Sequence, residues 1–251
     1  MANDFTQFEA ECKHNILAQS ADNQFQGVSK DFMLSATKYQ YSYNFRWMGI
    51  PIIQYPQDIL AMQEIIWTVK PDLIIETGVA RGGSVIFYAS MLELLGGNGM
   101  VIGIDIDIRK HNQEAIEQHS MAKRIKLING YSSDNKIVIE QLEQSIHENK
   151  SKRVLVALDS LHSHAHVLNE LNLYSKFVTL DSYIVVFDTH IESLDISSKD
   201  RPWKKGDNPM TAVDEFLKNN SCFVQDKHIE SKLMLTVAPG GYLKRIKESV
   251  T

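Results

Sequence analysis

Leu73-Ile74-Ile75-Glu76-Thr77-Gly78-Val79-Ala80-Arg81-Gly82-Gly83-Ser84 is the stretch on which the reading of this chain turns. Apolar β-formers run into an acid, glycines follow, and Val85, Ala89 and Leu92 then recur at helical spacing. Strand, glycine turn and helix in that order offer a ligand free backbone N–H groups and the positive end of a helix dipole. Gly78 permits the tight turn, and Gly82 and Gly83 let a ligand approach the main chain with no Cβ in the way. Glu76, at the strand's carboxyl end, is placed to accept hydrogen bonds from a ligand's hydroxyl or ammonium groups. Ordinary strand-to-helix loops also carry glycines, so the surrounding chain has to decide.

Outward from this unit the chain alternates strand and helix. Met100 to Ile104 reads as a second strand ending in Asp105-Ile106-Asp107, and Ile125 to Ile128 as a third. Arg153 to Leu158 ends at Asp159 and Tyr183 to Phe187 ends at Asp188. Helices are expected over 58–69, 111–119, 135–147 and 166–178 and from Pro209 onward, the proline taking a first-turn position. Thr189 to Asn208 reads as a long polar loop bordering a site. Strands near Cys222 to Gln225 and Lys232 to Val237 are expected to pair antiparallel. The fold class is therefore α/β: a seven-stranded, mostly parallel, doubly wound sheet with an antiparallel terminal hairpin. Residues 58–251 form this Rossmann-like domain, and residues 1–57 an extension or cap. The cap has one or two helices, then Tyr39, Tyr41, Tyr43, Phe45 and Trp47 alternating as a half-buried extended segment.

Composition bounds the function. The chain of 251 residues is 43% hydrophobic and 23% charged, with a formal charge of −5. That balance suits a globular domain and argues against general nucleic-acid affinity. No apolar run approaches the roughly 20 residues that span a bilayer. Cys12 and Cys222 form no metal pattern, and the polar N-terminus does not read as a secretion signal, so a cytoplasmic protein is expected. The aromatic N-terminal segment suits self-association into a homo-oligomer.

Ligands of such sheets bind beyond the carboxyl ends of the strands. Glu76, Asp105, Ser132, Asp159 and Asp188 all fall there. Asp105, 27 positions after Gly78, is placed to accept from a ribose diol, a device shared by NAD and S-adenosylmethionine sites. The spacing departs from the dinucleotide fingerprint G-x-G-x-x-G, because three non-glycines follow Gly78. The early acid and the terminal hairpin suit a class I methyltransferase better, and an NAD-dependent oxidoreductase is the rival. Ser132, after the third strand, lies where an adenine ring is enclosed, while Ser133 or Asp134 can cap the next helix. Asp159 and Asp188, on neighbouring strand ends, suit a hard divalent ion such as Mg²⁺, which can bind and acidify an acceptor hydroxyl. His162 is then a candidate base. His162 and His166 share a face if their helix begins early, so a histidine metal site or plain packing are also open.

These motifs together resemble the cephalosporin hydroxylase/rhamnosyl O-methyltransferase family of S-adenosylmethionine-dependent enzymes. The resemblance spans about residues 45 to 246. It is carried by Trp47-x-Gly49-x-Pro51, Glu76-x-Gly78-x-x-Arg81-Gly82-Gly83-Ser84, Ile104-Asp105-Ile106-Asp107, Leu158-Asp159-Ser160-x-His162-x-x-x-His166, Asp188-Thr189 and Pro239-x-Gly241-Tyr242-Leu243. It implies a Rossmann-like class I methyltransferase fold, with the sulfonium cofactor at the first two strand ends and Mg²⁺ held by Asp159 and Asp188. The expected cofactor residues are Glu76, Gly78, Arg81, Gly82, Gly83, Ser84, Asp105, Ser132 and Asp159. Asp159, His162 and Asp188 serve a small-molecule or carbohydrate acceptor. Many members carry Glu-Asp after the fifth strand where this chain has Phe187-Asp188. With one carboxylate missing, three outcomes are open: weaker metal binding, recruitment of His190 or Glu192, or loss of the site; a non-catalytic partner in a biosynthetic assembly is the second rival.

Overall fold

The computed structural model describes residues 2–133, 136–194 and 201–248. Its centre is a seven-stranded sheet built on the opening motif. Strand β3 (Leu73–Thr77) lies between β4 (Met100–Asp105) and β6 (Val154–Leu158); β5 (Ile125–Asn129) flanks β4 and β7 (Tyr183–Val186) flanks β6, all parallel. The chain thus lays down strands to one side of β3 and then crosses to the other. That reversal opens a crevice between the carboxyl ends of β3 and β6. The runs Leu73–Ile75 and Val154–Leu158 are buried on both faces, which is why they read as continuous apolar stretches rather than alternating ones.

Helix α4 (Gly83–Leu95) follows the glycine turn and packs with α3 (Pro56–Val69) on one face of the sheet. Helices α6 (Lys136–Asn149), α7 (His164–Tyr174) and α9 (Pro209–Asn219) cover the other. Helix α5 (Lys110–Glu117) sends Ile116 into the α4 layer. At the N-terminus, α1 (Ala2–Ala21) and α2 (Asn23–Thr37) precede a small hairpin, β1 (Phe45–Trp47) with β2 (Ile50–Ile52). Tyr41, Phe45, Trp47, Ile52 and Tyr55 join the same apolar cluster as α3 and α4.

Three expectations are corrected. Tyr41–Asn44 is a 3₁₀ turn, so the aromatic run is not continuously extended: Tyr39 and Tyr43 face solvent, while Tyr41, Phe45 and Trp47 pack inward. The loop after Asp188 contains a short helix, α8 (His190–Leu194), and Asn208 ends it as the N-cap of α9 in a capping box with Thr211. Residues 195–200 of that loop, and Asp134, lie outside the described residues.

The third correction is at the end of the sheet. Lys232 to Val237 is not a strand: Lys227–Leu233 is helix α10, and the strand that pairs with β7 and β8 (Phe223–Gln225) is β9 (Tyr242–Arg245). Leu233, Leu235 and Val237 alternate in sequence as a strand would, yet the backbone here is satisfied by a side chain from far away. Asp58 is completely buried; its carboxylate accepts from the Thr236 hydroxyl, from Val237 N (3.0 Å) and from Tyr242 Oη (2.7 Å). Burial pushes the Asp58 carboxyl up, against the pull of these donors. Asp58→Ala strands three buried donors at once, so a loss of about 3 kcal/mol is expected in urea unfolding, against about 1 kcal/mol for Tyr242→Phe. Equal losses would show that Asp58 acts only through Tyr242.

Candidate active site

The crevice between β3 and β6 opens into a cleft of about 230 Å³. One wall is the turn Gly78–Ser84; facing it are Asp159, Ser160, His162 and Asp188, and the hairpin side contributes Pro51, Ile53 and Gln54. The turn is drawn tight by close approach. A Cβ on Gly78 would lie 2.0 Å from the Asp159 carbonyl oxygen, and one on Gly83 would lie 2.3 Å from that of Pro51. Gly82 caps α4 with a left-handed φ of 89°, which leaves the first N–H groups of that helix at the cleft wall.

Asp105 does not point into this space as an idle acceptor. Its Oδ2 accepts from Val79 N (2.8 Å) and Ala80 N (3.1 Å), and its Oδ1 accepts from Asp107 N (3.0 Å). The carboxylate therefore clamps the turn, which holds Ala80 in the left-handed region at φ 46°. Arg81 lines the cleft, with its guanidinium 3.4 Å from His111 Nε2. Glu76 lies one layer down, where its Oε2 accepts from Ser84 Oγ (2.9 Å), and Ser84 itself faces the cleft.

Burial, reinforced by the charge of Asp105, pushes the Glu76 carboxyl up to about 8 even though Ser84 donates to it. The proton held by the fold stabilises it fully below the unfolded value of 4.5, and that contribution is lost as pH rises through about 8. Wild-type stability should fall from pH 5 to 8 by an amount on the order of 4 kcal/mol more than that of Glu76→Gln. Parallel urea-unfolding profiles for the two proteins would contradict this.

Across the cleft, one ligand atom each from Asp159, His162 and Asp188 lie within 4.8 Å of one another. Gln54 Nε2 donates to Asp159 Oδ2 (3.0 Å), and His162 Nε2 lies 3.0 Å from Asp188 Oδ2. Burial pushes the Asp159 carboxyl well up, and the nearby charges of Asp188 and Glu76 add to it. Desolvation lowers His162 against the opposing pull of Asp188, which favours the neutral imidazole. Two close carboxyl groups and a neutral imidazole are a donor set that suits a divalent cation, whose charge removes the repulsion between the acids. Asp188 holds a left-handed φ of 59°, a strained backbone at the lining of the cleft.

The remaining expectations divide. Helix α7 begins at His164, so His162 precedes it and no three-histidine cluster forms among the described residues. His166 turns away to a buried chain, with Nε2 2.9 Å from Ser160 Oγ and 3.3 Å from Ser132 Oγ, while Ser160 Oγ donates to the fully buried Glu170 (2.8 Å). Ser132 thus reaches the site through His166 and does not line the cleft. His190 stands 3.7 Å from Asp188 Oδ1, whereas Glu192 is taken up by Gly206 N and Asn208 Nδ2. Sequence reasoning missed Gln54, and it missed Trp203, whose ring meets His162 edge-on at 4.8 Å under the Arg201 guanidinium. The Ile53-Gln54-Tyr55-Pro56 entry segment carried no signal for the first; a lone tryptophan in a polar loop was the available signal for the second.

Comparison with known proteins agrees with this geometry. The family described as Rhamnosyl O-methyltransferase/CmcI matches residues 39–246. The rhamnosyl O-methyltransferase of Mycobacterium tuberculosis (strain ATCC 25618 / H37Rv) is 28% identical over 203 residues, covering 79% of this chain and 77% of that protein. That of Mycobacterium leprae (strain TN) is 28% identical over 200 residues, covering 79% and 82%. Among solved structures, CmcI with Mg and SAM aligns at a TM-score of 0.56 and 19% identity, over 82% of this chain and 78% of that one. The O-methyltransferase from Bacillus cereus in complex with SAH aligns at 0.51 and 15%, over 88% and 91%. The two structures speak for the fold, which is that of the class I methyltransferases. With residues 39–246 matched, the chain belongs to the rhamnosyl O-methyltransferase/CmcI family.

Proposed function

We propose that this protein transfers the methyl group of S-adenosylmethionine to a hydroxyl of a sugar, with a divalent cation, Mg²⁺, assisting. The observation that carries the reading is the meeting of Asp159, His162 and Asp188 directly across the cleft from the glycine turn. When bound, the sulfonium supplies an electrophilic methyl carbon and the cation acidifies the acceptor hydroxyl. The turn and the start of α4 hold the methionine end of the cofactor through backbone N–H groups, with Arg81 and Ser84 beside them. Glu76, protonated while the cleft is free of cations, ionises in the field of a cationic ligand and favours its binding. Asp105 keeps the turn shaped to receive it.

Asp159 and Asp188 hold the cation, and Gln54 orients Asp159 by its hydrogen bond. His162 either completes the cation's ligands or receives the acceptor's proton. Its contact with Asp188 fixes the ring's orientation for either role. Catalysis then consists of aligning an oxygen nucleophile with the methyl carbon and removing one proton. The names of the relatives favour a rhamnoside as acceptor. Incubation with S-adenosylmethionine, Mg²⁺ and methyl α-rhamnoside should yield an O-methylated sugar by mass spectrometry. Failure to methylate any member of a panel of rhamnosides and related glycosides, by a protein that still binds S-adenosylhomocysteine, would overturn the reading.

A further inference from the structure

A second cavity, of about 510 Å³, adjoins the cleft on the far side of Asp188. Its walls come from α2, α8 and α10, from the end of α1 and from the segment that leads into β9. The partition is thin. Val237 lines the cleft and Thr236 lines the cavity, so consecutive residues divide the two. His190 also lines the cavity, while its Nδ1 lies 3.0 Å from the Val237 carbonyl and 3.7 Å from Asp188 Oδ1. The order along the rim is therefore glycine turn, acid cluster, His190 partition, second cavity. A substrate whose reacting hydroxyl sits at Asp188 has this space as the next available room, and the volume is that of a small-molecule site.

The charges at the cavity indicate what fills it. Lys30 on α2 and Lys227 on α10 approach it from separate elements, and neither has a carboxylate partner among the described residues. The neighbouring Lys232 is paired with Glu64. Glu230, the acid in the lining, already accepts from Gly240 N through Oε2 (3.1 Å). Two exposed ammonium groups against the one Glu230 carboxylate leave this lining with a positive charge in excess, in a chain of net charge −5.

We propose that this cavity is the subsite for the remote part of the acceptor, and that it takes a phosphate attached to the sugar, bracketed by Lys30 and Lys227. The assignment rests on the methyl-transfer reading for its neighbour but makes its own binding claim. Titration of the full chain with inorganic pyrophosphate should show saturable binding, weakened at least tenfold in Lys30→Ala/Lys227→Ala and retained in Lys30→Arg/Lys227→Arg. Affinity for S-adenosylhomocysteine should be unchanged in both. With S-adenosylmethionine and Mg²⁺ present, the KM for rhamnose 1-phosphate should be at least tenfold below that for methyl α-rhamnoside, and the double alanine variant should erase the difference. A further gain with a rhamnose diphosphonucleoside assigns the phosphate to a sugar nucleotide; no further gain assigns it to a simple sugar phosphate. Absent pyrophosphate binding, or binding indifferent to the two lysines, overturns the assignment. If no sugar is methylated while S-adenosylhomocysteine still binds, the methyl-transfer reading fails and the pyrophosphate titration still decides the cavity's ligand.

Discussion

Asp159→Ala should lower methyl transfer by roughly a thousandfold or more while leaving S-adenosylhomocysteine affinity within about threefold of wild type. Asp159 ends β6, is contacted by Gln54 from the opposite wall, and shares its space with His162 and Asp188. Its carboxyl is held well above the ordinary range by burial and by neighbouring acids, a state that a cation relieves and that folding alone does not reward. Removing it deletes a proposed cation ligand and relaxes the repulsion, so the protein should fold at least as stably as before. Chelation of wild type should reproduce the kinetic loss, and added Mg²⁺ should restore wild type but not the variant. A variant that loses cofactor affinity and turnover in parallel would instead place Asp159 on the cofactor alone.

Gly78→Ala is expected to be the most damaging single methyl in the protein. Gly78 holds φ at 90°, and the added Cβ would meet backbone at the neighbouring strand end: the Asp159 carbonyl oxygen at 2.0 Å, its carbon at 2.6 Å and Ser160 Cα at 3.0 Å. None of these atoms belongs to a flexible side chain, so relief requires the ends of β3 and β6 to part. Gly49 provides the control. Its φ is also 90°, yet nothing lies within 4 Å of its Cβ position, so Gly49→Ala carries the dihedral penalty alone, about 1 kcal/mol. Gly78→Ala should cost about 3 kcal/mol more than that in urea unfolding, and residual folded protein should bind S-adenosylhomocysteine at least a hundredfold more weakly. Equal losses at the two positions would mean that the strand ends yield freely and that the turn is not a rigid part of the site.

The parallel half of the fold and its working rim were legible because local pattern and global arrangement agree there. Apolar runs ending in Glu76-Thr77, Asp105, Asp159 and Asp188 announced both the strands and the residues just beyond them. What escaped was determined by contacts between distant positions. The alternation in Lys232–Val237 reads as a strand, but Asp58 satisfies the amide of Val237 from across the molecule. Asp105 was identifiable as a rim carboxylate; that its oxygens are occupied by the amides of Val79 and Ala80 depends on how the turn closes. His162 and His166 look equivalent in sequence, but α7 begins at His164, so the first, ahead of the helix, meets Asp188 and the second, within it, meets Ser160 and Glu170. Gln54, drawn to Asp159 across 105 positions, had no pattern to announce it.

If the acid cluster holds a cation beside the bound cofactor, Mn²⁺ as a paramagnetic stand-in should report it. Electron paramagnetic resonance of wild type with S-adenosylhomocysteine should show one bound Mn²⁺ per chain, and the ligand's proton signals should broaden in nuclear magnetic resonance. Both effects should vanish in Asp159→Ala and persist in Lys30→Ala/Lys227→Ala. Mn²⁺ that fails to bind, or that binds equally well without Asp159 and leaves the ligand's protons sharp, would contradict the account.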